Sequence, residues 1–284
     1  NPGSWSSIGS VTYAYYVNAD AHGQDGDLKT VTRSIPLSDG SSTVQKYYRY
    51  YEGTYNATTN PGYHHQLKYV YEEEGVRRYD WAGDSNLDGD HLSANDDDLK
   101  PYAAAYFAYD TDRRVVATWS SGQCGCSGAA SGLHTFTYGT NGSFSGTSGY
   151  DTGWYGRAVV QKPTITQRSS ATVEAWTTLY WDETGQALTR VQTDGDPSGS
   201  PSVWVTHAVR DGDGMVSSVH TPANVSSYSH ATGAVTLSAS AGLVHWLGRV
   251  AAGDTAGLPY VSRSSTGTSG SKYLDRLWTY VTSS

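Results

Sequence analysis

The chain has 284 residues and a net charge of −8, with 19 lysines and arginines against 27 acidic residues. This balance excludes the extended basic surface that binds nucleic acid, and no apolar run is long enough to span a bilayer. The apolar residues are unusual in kind, because 23 tyrosines and 9 tryptophans stand against 3 phenylalanines and 1 methionine. Tyr and Trp suit a half-buried sheet, so the composition predicts an all-β fold.

Alternating apolar and polar runs, separated by polar turns, predict hairpins along the first half of the chain. Strands are expected at residues 11–16, 28–32, 43–51, 66–71, 76–81, 102–109, 115–119 and 134–138. Asp39-Gly40 and Gly75 are expected to be turns. Residues 83–100 form a polar, acidic insertion.

Residues 141–156 are rich in Gly, Ser and Thr, and we expect them to join two halves, 1–140 and 157–284, of one repetitive module spanning residues 1–284. Strands are expected at residues 159–166, 172–181, 188–193, 203–210, 216–220, 225–229 and 235–239. The segment 242–250 is the one stretch that suits a short helix.

A short pattern recurs at the predicted turns: a leading, usually aromatic residue, then an acid, then Gly and an aliphatic residue. It occurs, complete or in part, at Tyr71-Glu72, Tyr109-Asp110, Trp181-Asp182, Arg210-Asp211 and Tyr228-Ser229-His230. Because Gly accepts a positive φ where other residues do not, we predict tight turns at Gly75, Gly185, Gly214 and Gly233. These turns should return Val216 and Val235 to the buried face.

This pattern resembles the signature of the RHS/YD-repeat family, in which a strand ending in Tyr-Asp is followed by two free positions and then Gly. Tyr109-Asp110 matches it with Arg113 in the Gly position, whereas Trp181-Asp182 keeps the acid and the Gly. The resemblance implies antiparallel hairpin repeats wound into a spiral or barrel-like sheet, as in a toxin shell or an adhesive surface module. Asp196-Pro197 lacks the Asp-Gly that completes the family's self-cleaving segment, so the resemblance does not extend to a complete toxin cage.

Oxygen-bearing residues at alternate positions surround Gly89: Asp84, Asn86, Asp88 and Asp90. A Ca²⁺ loop requires this spacing, with Gly at the sharp turn. Asn95 stands where an EF-hand has its Glu. The alternatives are therefore an isolated calcium-binding loop and a solvated acidic turn.

Cys124 and Cys126 are the only cysteines, one residue apart in a Gly- and Ser-rich stretch. A local disulfide or two loop thiols is favoured over a metal site, because a tetrahedral site needs further ligands and no second pair of cysteines is present.

Sequence motifs for catalysis are absent: the chain has no Gly-x-Ser-x-Gly elbow, His-Glu-x-x-His helix or Gly-rich phosphate loop. Glu174, Asp182 and Glu183 could serve as paired glycosidase carboxylates. Since the repeat already gives Asp182 a role in a turn, we expect no catalytic residues and no enzyme.

Two further sets of residues suggest contacts with glycans. Aromatic side chains could stack on sugar rings or form cross-strand ladders, and the candidates for stacking are Trp154, Tyr155 and Trp176. Acceptor sequons for N-glycosylation begin at Asn56, Asn141 and Asn224.

Together these expectations favour a non-enzymatic, extracellular structural β-repeat protein, a unit of a larger surface assembly, fibre or shell. Lysines that would block strand edges are scarce, so the expected partners are copies of the chain or the rest of a longer polypeptide. Because Asn1-Pro2-Gly3 does not resemble a signal peptide, we expect a processed product or a section of a longer chain. The alternatives are a carbohydrate-binding cell-surface module and a glycan-active enzyme.

Overall fold

The structure is a computed structural model that describes residues 9–17, 20–37, 40–81, 91–120, 132–144, 153–163, 165–166, 172–250 and 256–280. The chain divides into two compact units, Asn1–Thr135 and Phe136–Ser284. In both units the described residues lie mainly in antiparallel hairpins, so the predicted all-β class is confirmed.

Unit 1 is a series of adjacent antiparallel strands that pair in chain order. They are β1 (Ser10–Tyr15), β2 (Leu28–Leu37), β3 (Gly40–Tyr50), β4 (Leu67–Tyr71), β5 (Ala105–Tyr109), β6 (Val115–Ser120) and β7 (Leu133–Thr140), and β7 continues into unit 2. The predicted turn at Asp39-Gly40 lies partly outside the described residues.

A helix in unit 1 replaces a predicted turn and strand. Helix α1 (Glu73–Trp81) follows β4, so the expectations of a turn at Gly75 and of a strand at 76–81 were wrong. Gly75 is present for a different reason: a Cβ atom there would lie 2.3 Å from the carbonyl oxygen of Tyr102. The helix buries Val76 and Tyr79. The short helix α2 (Asp96–Leu99) and a 3-10 turn at Lys100–Tyr102 complete the insertion between β4 and β5.

Unit 2 contains the other described strands, which pair as antiparallel neighbours. They are β8 (Gly156–Gln161), β9 (Ile165–Thr166), β10 (Thr172–Val173), β11 (Trp176–Trp181), β12 (Ala187–Thr193), β13 (Val203–Arg210), β14 (Val216–His220), β15 (Val225–Tyr228), β16 (Val235–Leu237), β17 (Leu243–Arg249), β18 (Pro259–Thr266) and β19 (Tyr273–Leu277). A 3-10 turn spans Pro222–Asn224. The one segment that suited a short helix, 242–250, forms strand β17 instead, because it pairs with both β14 and β18.

Six hairpin connections close with the same two backbone hydrogen bonds. In the β11–β12 connection the Asp182 N–H donates to the Gln186 carbonyl at 3.0 Å, and the Gly185 N–H donates back to the Asp182 carbonyl at 3.1 Å. The other five connections begin at Tyr16, Asp110, Asp211, Ser229 and Val250. The residue in the Gly185 position has a positive φ in every one of them: Gly26, Arg113, Gly185, Gly214, Gly233 and Gly257.

The Asp of the repeat has a specific role in three of these turns. One carboxylate oxygen of Asp182 accepts hydrogen bonds at 2.9 Å from the N–H groups of Thr184 and Gln186. Asp110 and Asp211 accept from the N–H groups two and four residues later in the same way. Side-chain acceptors of this kind satisfy turn N–H groups that face no strand, which explains the recurring acid.

The predicted turns at Gly185, Gly214 and Gly233 are therefore confirmed, with φ values of 81°, 75° and 70°. Arg113 occupies the same position with φ 64°, so the Tyr109-Asp110 turn forms even without Gly. The turn after Tyr228 is one residue longer than those that begin at Asp110, Asp182 and Asp211, and Ser229 takes the place of the Asp.

Each unit has its own core. In unit 1 the core is rich in tyrosine and comprises Tyr16, Tyr47, Tyr69, Tyr71, Val76, Tyr79, Leu99 and Ala103. Burial raises the pKa of the Tyr16 and Tyr51 hydroxyls, and these two donate to the carbonyls of Tyr48 and Phe107, each at 2.7 Å. In unit 2 Tyr180, Val191 and Val205 form a cluster on which Val235 packs; both Val235 and Val216, predicted on the buried face, are half-buried.

Candidate functional site

The first candidate site is the strand edge of unit 1. Among the described residues β1 pairs only with β2, and all six of its residues are exposed. Val11, Tyr13 and Tyr15 lie on one face of the strand and are 52%, 58% and 54% exposed. No charged residue occurs between Ser10 and Tyr15. Unit 1 thus presents an uncharged, aromatic edge.

Strand β19 gives unit 2 a comparable edge. Within the described part of the chain it pairs with β18 alone, and each of its five residues is exposed. Tyr273, Leu274 and Leu277 are 71%, 62% and 64% exposed. This edge differs from β1 in carrying charge at Asp275 and Arg276.

The second candidate site is a buried ion network in unit 1. The side chain of Arg49, on β3, is fully buried, and its Nη1 donates to the Asp96 carboxylate at 2.7 Å. Its Nε donates to the Tyr47 hydroxyl at 3.1 Å, and its Nη2 to the carbonyls of His91 and Ala94. Because each of its three nitrogens donates to an acceptor, the buried guanidinium fixes Asp96 in place.

Lys68, on β4, contacts the same carboxylate. Its ammonium donates to the second oxygen of Asp96 and lies 5.3 Å and 5.6 Å from the ring centroids of Tyr51 and Tyr69. Burial alone would raise the pKa of Asp96, but the hydrogen bonds from Lys68 and Arg49 outweigh it and hold the pKa below its usual value. Asp96 is therefore a carboxylate at neutral pH.

His22 lies beside this network, with Nδ1 3.8 Å from an Asp96 oxygen. Burial and then the charge of Arg49 lower the pKa of His22. The ring is consequently neutral near pH 7. The positive charges beside Asp96 therefore come from Arg49 and Lys68, and His22 adds none.

An open cleft of about 670 Å³ lies over this network. Its lining comes from the loop before β4, from β4, from the start of α2 and from β5: Thr58, Thr59, Pro61, Lys68, Tyr69, Asn95, Asp96, Asp97, Asp98, Lys100 and Tyr106. Polar groups dominate it. The cleft can offer hydrogen bonds to a ligand but little apolar contact.

A polar cluster in unit 2 joins two histidines on adjacent strands. The rings of His207 and His220 have centroids 6.3 Å apart. His207 Nδ1 lies 2.8 Å from the Thr189 hydroxyl, and His220 lies between the Ser218 hydroxyl and the side-chain Oδ1 of Asn224, each at 2.8 Å. Burial and then His220 lower the pKa of His207 to about 4. Burial also lowers the pKa of His220, so both rings are neutral near pH 7.

Two predicted sites fall outside the described residues. They are the calcium loop of Asp84, Asn86, Asp88 and Asp90, and the cysteine pair Cys124 and Cys126. Calcium binding and the disulfide therefore stay predictions. Among the residues that the structure does describe, no group of three or more His, Cys, Asp or Glu side chains is placed to hold a metal ion.

The predicted stacking residues are engaged with neighbouring protein groups. Trp154 Nε1 donates to the Thr232 carbonyl at 2.8 Å, and its ring makes an edge contact with Tyr180. Tyr155 is 46% exposed and contacts Phe144. Trp176 is half-buried on β11. These three side chains lie in unit 2, and none lines the cleft of unit 1.

The three sequons have different surroundings. Asn56 is exposed, and its side-chain oxygen accepts from the N–H groups of Thr58 and Thr59. Asn141 is half-exposed and its amide nitrogen donates to the Trp154 carbonyl at 2.8 Å. Asn224 is fully buried. Of the three, Asn56 has the most accessible side chain.

The carboxylates considered for glycosidase chemistry do not converge on a cleft in the described part of the chain. Asp182 is buried in its turn and lies beside Arg210. Glu174 lies 3.4 Å from the indole nitrogen of Trp176, while Glu183 is an exposed turn residue. Asp182 has the turn role that the repeat predicts.

Sequence reasoning missed Arg49, Lys68 and Asp96. In the sequence Asp96 is one of several acidic residues in the insertion at 83–100. Arg49 and Asp96 are 47 residues apart, so no local motif connects them. An Arg within the Tyr-rich run of β3 was the one signal that a buried counter-charge was needed.

No protein-family model matches the chain, and no curated protein shows significant similarity to it. The resemblance to the RHS/YD-repeat family therefore rests on the turns alone. The described helices include none that is long and apolar enough to cross a membrane.

Proposed function

We propose that this chain is a structural β-repeat module of an extracellular assembly and that its copies join through their outer strands. The observation that carries the proposal is the exposure of Val11, Tyr13 and Tyr15 on β1, an edge strand without charge. Strand edges in stable monomers are usually blocked by Lys, Pro, bulges or a covering loop. An uncharged aromatic edge instead favours pairing with another strand.

The same strand of a second copy is the partner that best suits β1. Antiparallel self-pairing centred on Tyr13 sets the two Tyr13 rings opposite each other and sets Val11 opposite Tyr15. Cross-strand aromatic and β-branched pairs of this kind stabilise a sheet, and an uncharged strand brings no like charges together. The contact has two-fold symmetry, as most homodimers have.

A larger structure needs a second contact, which β19 supplies in this proposal. Backbone hydrogen bonds each contribute only about 0.5–1.5 kcal/mol net, so edge pairing must be accompanied by packing of side chains. A durable interface buries on the order of 1,200 Å² or more. In the resulting fibre or shell, each module is proposed to wind its hairpins into the spiral or barrel-like sheet that the RHS/YD-type turns suggest.

Sedimentation velocity over a range of concentrations tests the proposal. The wild-type sedimentation coefficient should rise with concentration, whereas Tyr13→Lys should stop at the smaller species that the β19 contact alone supports, because it puts a charge on the β1 edge. Tyr260→Lys is the matched control, since Tyr260 is 41% exposed but lies on β18, which has strands on both sides. A wild-type monomer at high concentration, or unchanged assembly of Tyr13→Lys, would refute assembly through β1.

A further inference from the structure

The cleft of unit 1 has polar groups that the fold itself does not use. The side chains of Asp97 and Lys100 are exposed, and they form no hydrogen bond or ion pair within the described part of the chain. The same holds for the hydroxyls of Thr58 and Thr59, whose backbone N–H groups alone are engaged, by Asn56. The cleft therefore has both donors and acceptors available.

Other groups of the cleft are held rigidly. Lys68 and Asp96 are fixed to each other, and Arg49 fixes Asp96 from below. Asn95 accepts from the Asp98 N–H at 2.9 Å and so holds the start of α2. Preorganised polar groups lose little conformational freedom when a ligand binds.

The charges around the cleft balance. Lys68 and Lys100 of the lining carry two positive charges, Asp96, Asp97 and Asp98 carry three negative charges, and the buried Arg49 behind Asp96 supplies the third positive charge. A balanced set gives no net attraction for a phosphate, a sulfated chain or a lone cation. The half-buried ring of Tyr106 and the side chain of Pro61 are the main apolar groups of the lining, so the cleft does not suit a lipid.

From these features we infer that the cleft binds an uncharged, hydroxyl-rich ligand, namely a short neutral saccharide. Each sugar hydroxyl can both donate and accept a hydrogen bond. It therefore suits a lining that combines carboxylates, which accept, with ammonium groups and hydroxyls, which donate. The carboxylate of Asp97 can accept from neighbouring hydroxyls, and Lys100 and the two threonines can donate. The Tyr106 ring offers an aromatic surface to the less polar side of a sugar ring.

An array of neutral gluco-, galacto-, manno- and xylo-oligosaccharides of one to four units tests this inference, with calorimetry on the strongest binder. Asp97→Ala should weaken that saccharide at least about tenfold, the loss of roughly 1.4 kcal/mol. Thr59→Val should weaken it as well. Asp213→Ala is the matched control, because Asp213 is an exposed Asp in a turn of unit 2. This variant should bind the saccharide as tightly as the wild type does.

Thermal unfolding of each variant shows whether the fold is retained; within the described residues, the side chains of Asp97 and Thr59 form no hydrogen bond or ion pair. Absence of binding to every neutral saccharide would overturn the inference. So would binding restricted to sulfated glycans or to Ca²⁺, or saccharide binding that Asp97→Ala and Thr59→Val leave unchanged. The result is independent of Tyr13 and of the assembly test.

Discussion

The carboxylate of Asp182 lies 3.3 Å from the Nε of Arg210, and the two side chains are almost completely shielded from water. The pair joins the β11–β12 turn to the end of β13. Arg210 also donates to the Gln186 side chain at 2.7 Å and to the Gly214 carbonyl at 2.8 Å. One arginine thus links two successive turns of the repeat.

This link predicts unequal effects at two turns of the same geometry. Asp182→Ala should lower the free energy of unfolding by about 3–5 kcal/mol, because it leaves Arg210 buried without its counter-charge. Asp211→Ala removes the two equivalent backbone hydrogen bonds, without the hydroxyl bond that Asp182 also accepts from Thr184, and should cost about 1–2 kcal/mol. Urea unfolding of both variants provides the measurement. Equal losses would show that the ion pair adds nothing to the turn.

Gly75 gives a second prediction, because at this position helix propensity and packing have opposite effects on stability. Ala is the better helix former by about 1 kcal/mol, but a Cβ atom at position 75 would lie 2.3 Å from the Tyr102 carbonyl oxygen. Gly75→Ala should therefore destabilise the protein by about 1–3 kcal/mol, as overpacked sites do. Gly142→Ala, with open space around its Cβ position, is the control. A stabilised Gly75→Ala variant would contradict the close approach.

The histidine pair of unit 2 predicts a loss of stability in mild acid. Since burial lowers the pKa of His207 to about 4, against about 6.5 in an unfolded chain, the unfolded state binds more protons between these values. Stability should be fully present above about pH 6.5 and fall as the pH approaches 4, by about 3 kcal/mol at most.

Urea unfolding at pH 7, 5.5 and 4.5 measures this slope. His207→Gln should flatten it, although His22, His220 and His230, whose pKa values are lowered as well, leave part of it in place. His64→Gln, at an exposed position, should reproduce the wild-type profile. The same slope in wild type and His207→Gln would exclude His207 as its source.

The sequons predict one occupied site rather than three. Secretion from a glycosylating host should give folded protein modified at Asn56, which is an exposed residue. Asn224 should be unmodified, because its amide nitrogen donates to the Ser238 and Ala241 carbonyls in the interior. Glycopeptide mass spectrometry identifies the modified residue, and Thr58→Ala should abolish the modification. A glycan on Asn224 in folded protein would contradict the placement of that side chain.

The turns were predictable from the sequence because their chemistry is local. A positive φ at Gly185 or Gly214 and an acceptor at Asp182 or Asp211 act within five residues, and the spacing of the repeat reports both. The same argument failed at Gly75, where Gly serves the approach of a distant carbonyl. A single glycine does not distinguish these two uses.

The ion network and the cleft could not be predicted from the sequence, because the residues that form them are far apart in the chain. Arg49 and Asp96 meet only after β3 and the insertion between β4 and β5 have folded together. Asp96 lies in the acidic insertion but outside the predicted calcium loop, and the fold places its carboxylate between two cations, Arg49 and Lys68. The sequence correctly placed tyrosines in the sheet. It did not show which of them form the buried core of unit 1, because that depends on the pairing of several strands.

The common closure of the hairpins separates the length of a loop from the register of its strands. Asp110 and Arg114 close a loop of three intervening residues with the same pair of bonds by which Tyr16 and Asp27 close a loop of ten. Loop length can therefore change without moving the neighbouring strands, and longer loops add little entropic cost. The chain has the properties of a display scaffold: a foreign peptide inserted between Thr111 and Asp112 would be held at both ends by bonds that the insertion does not touch.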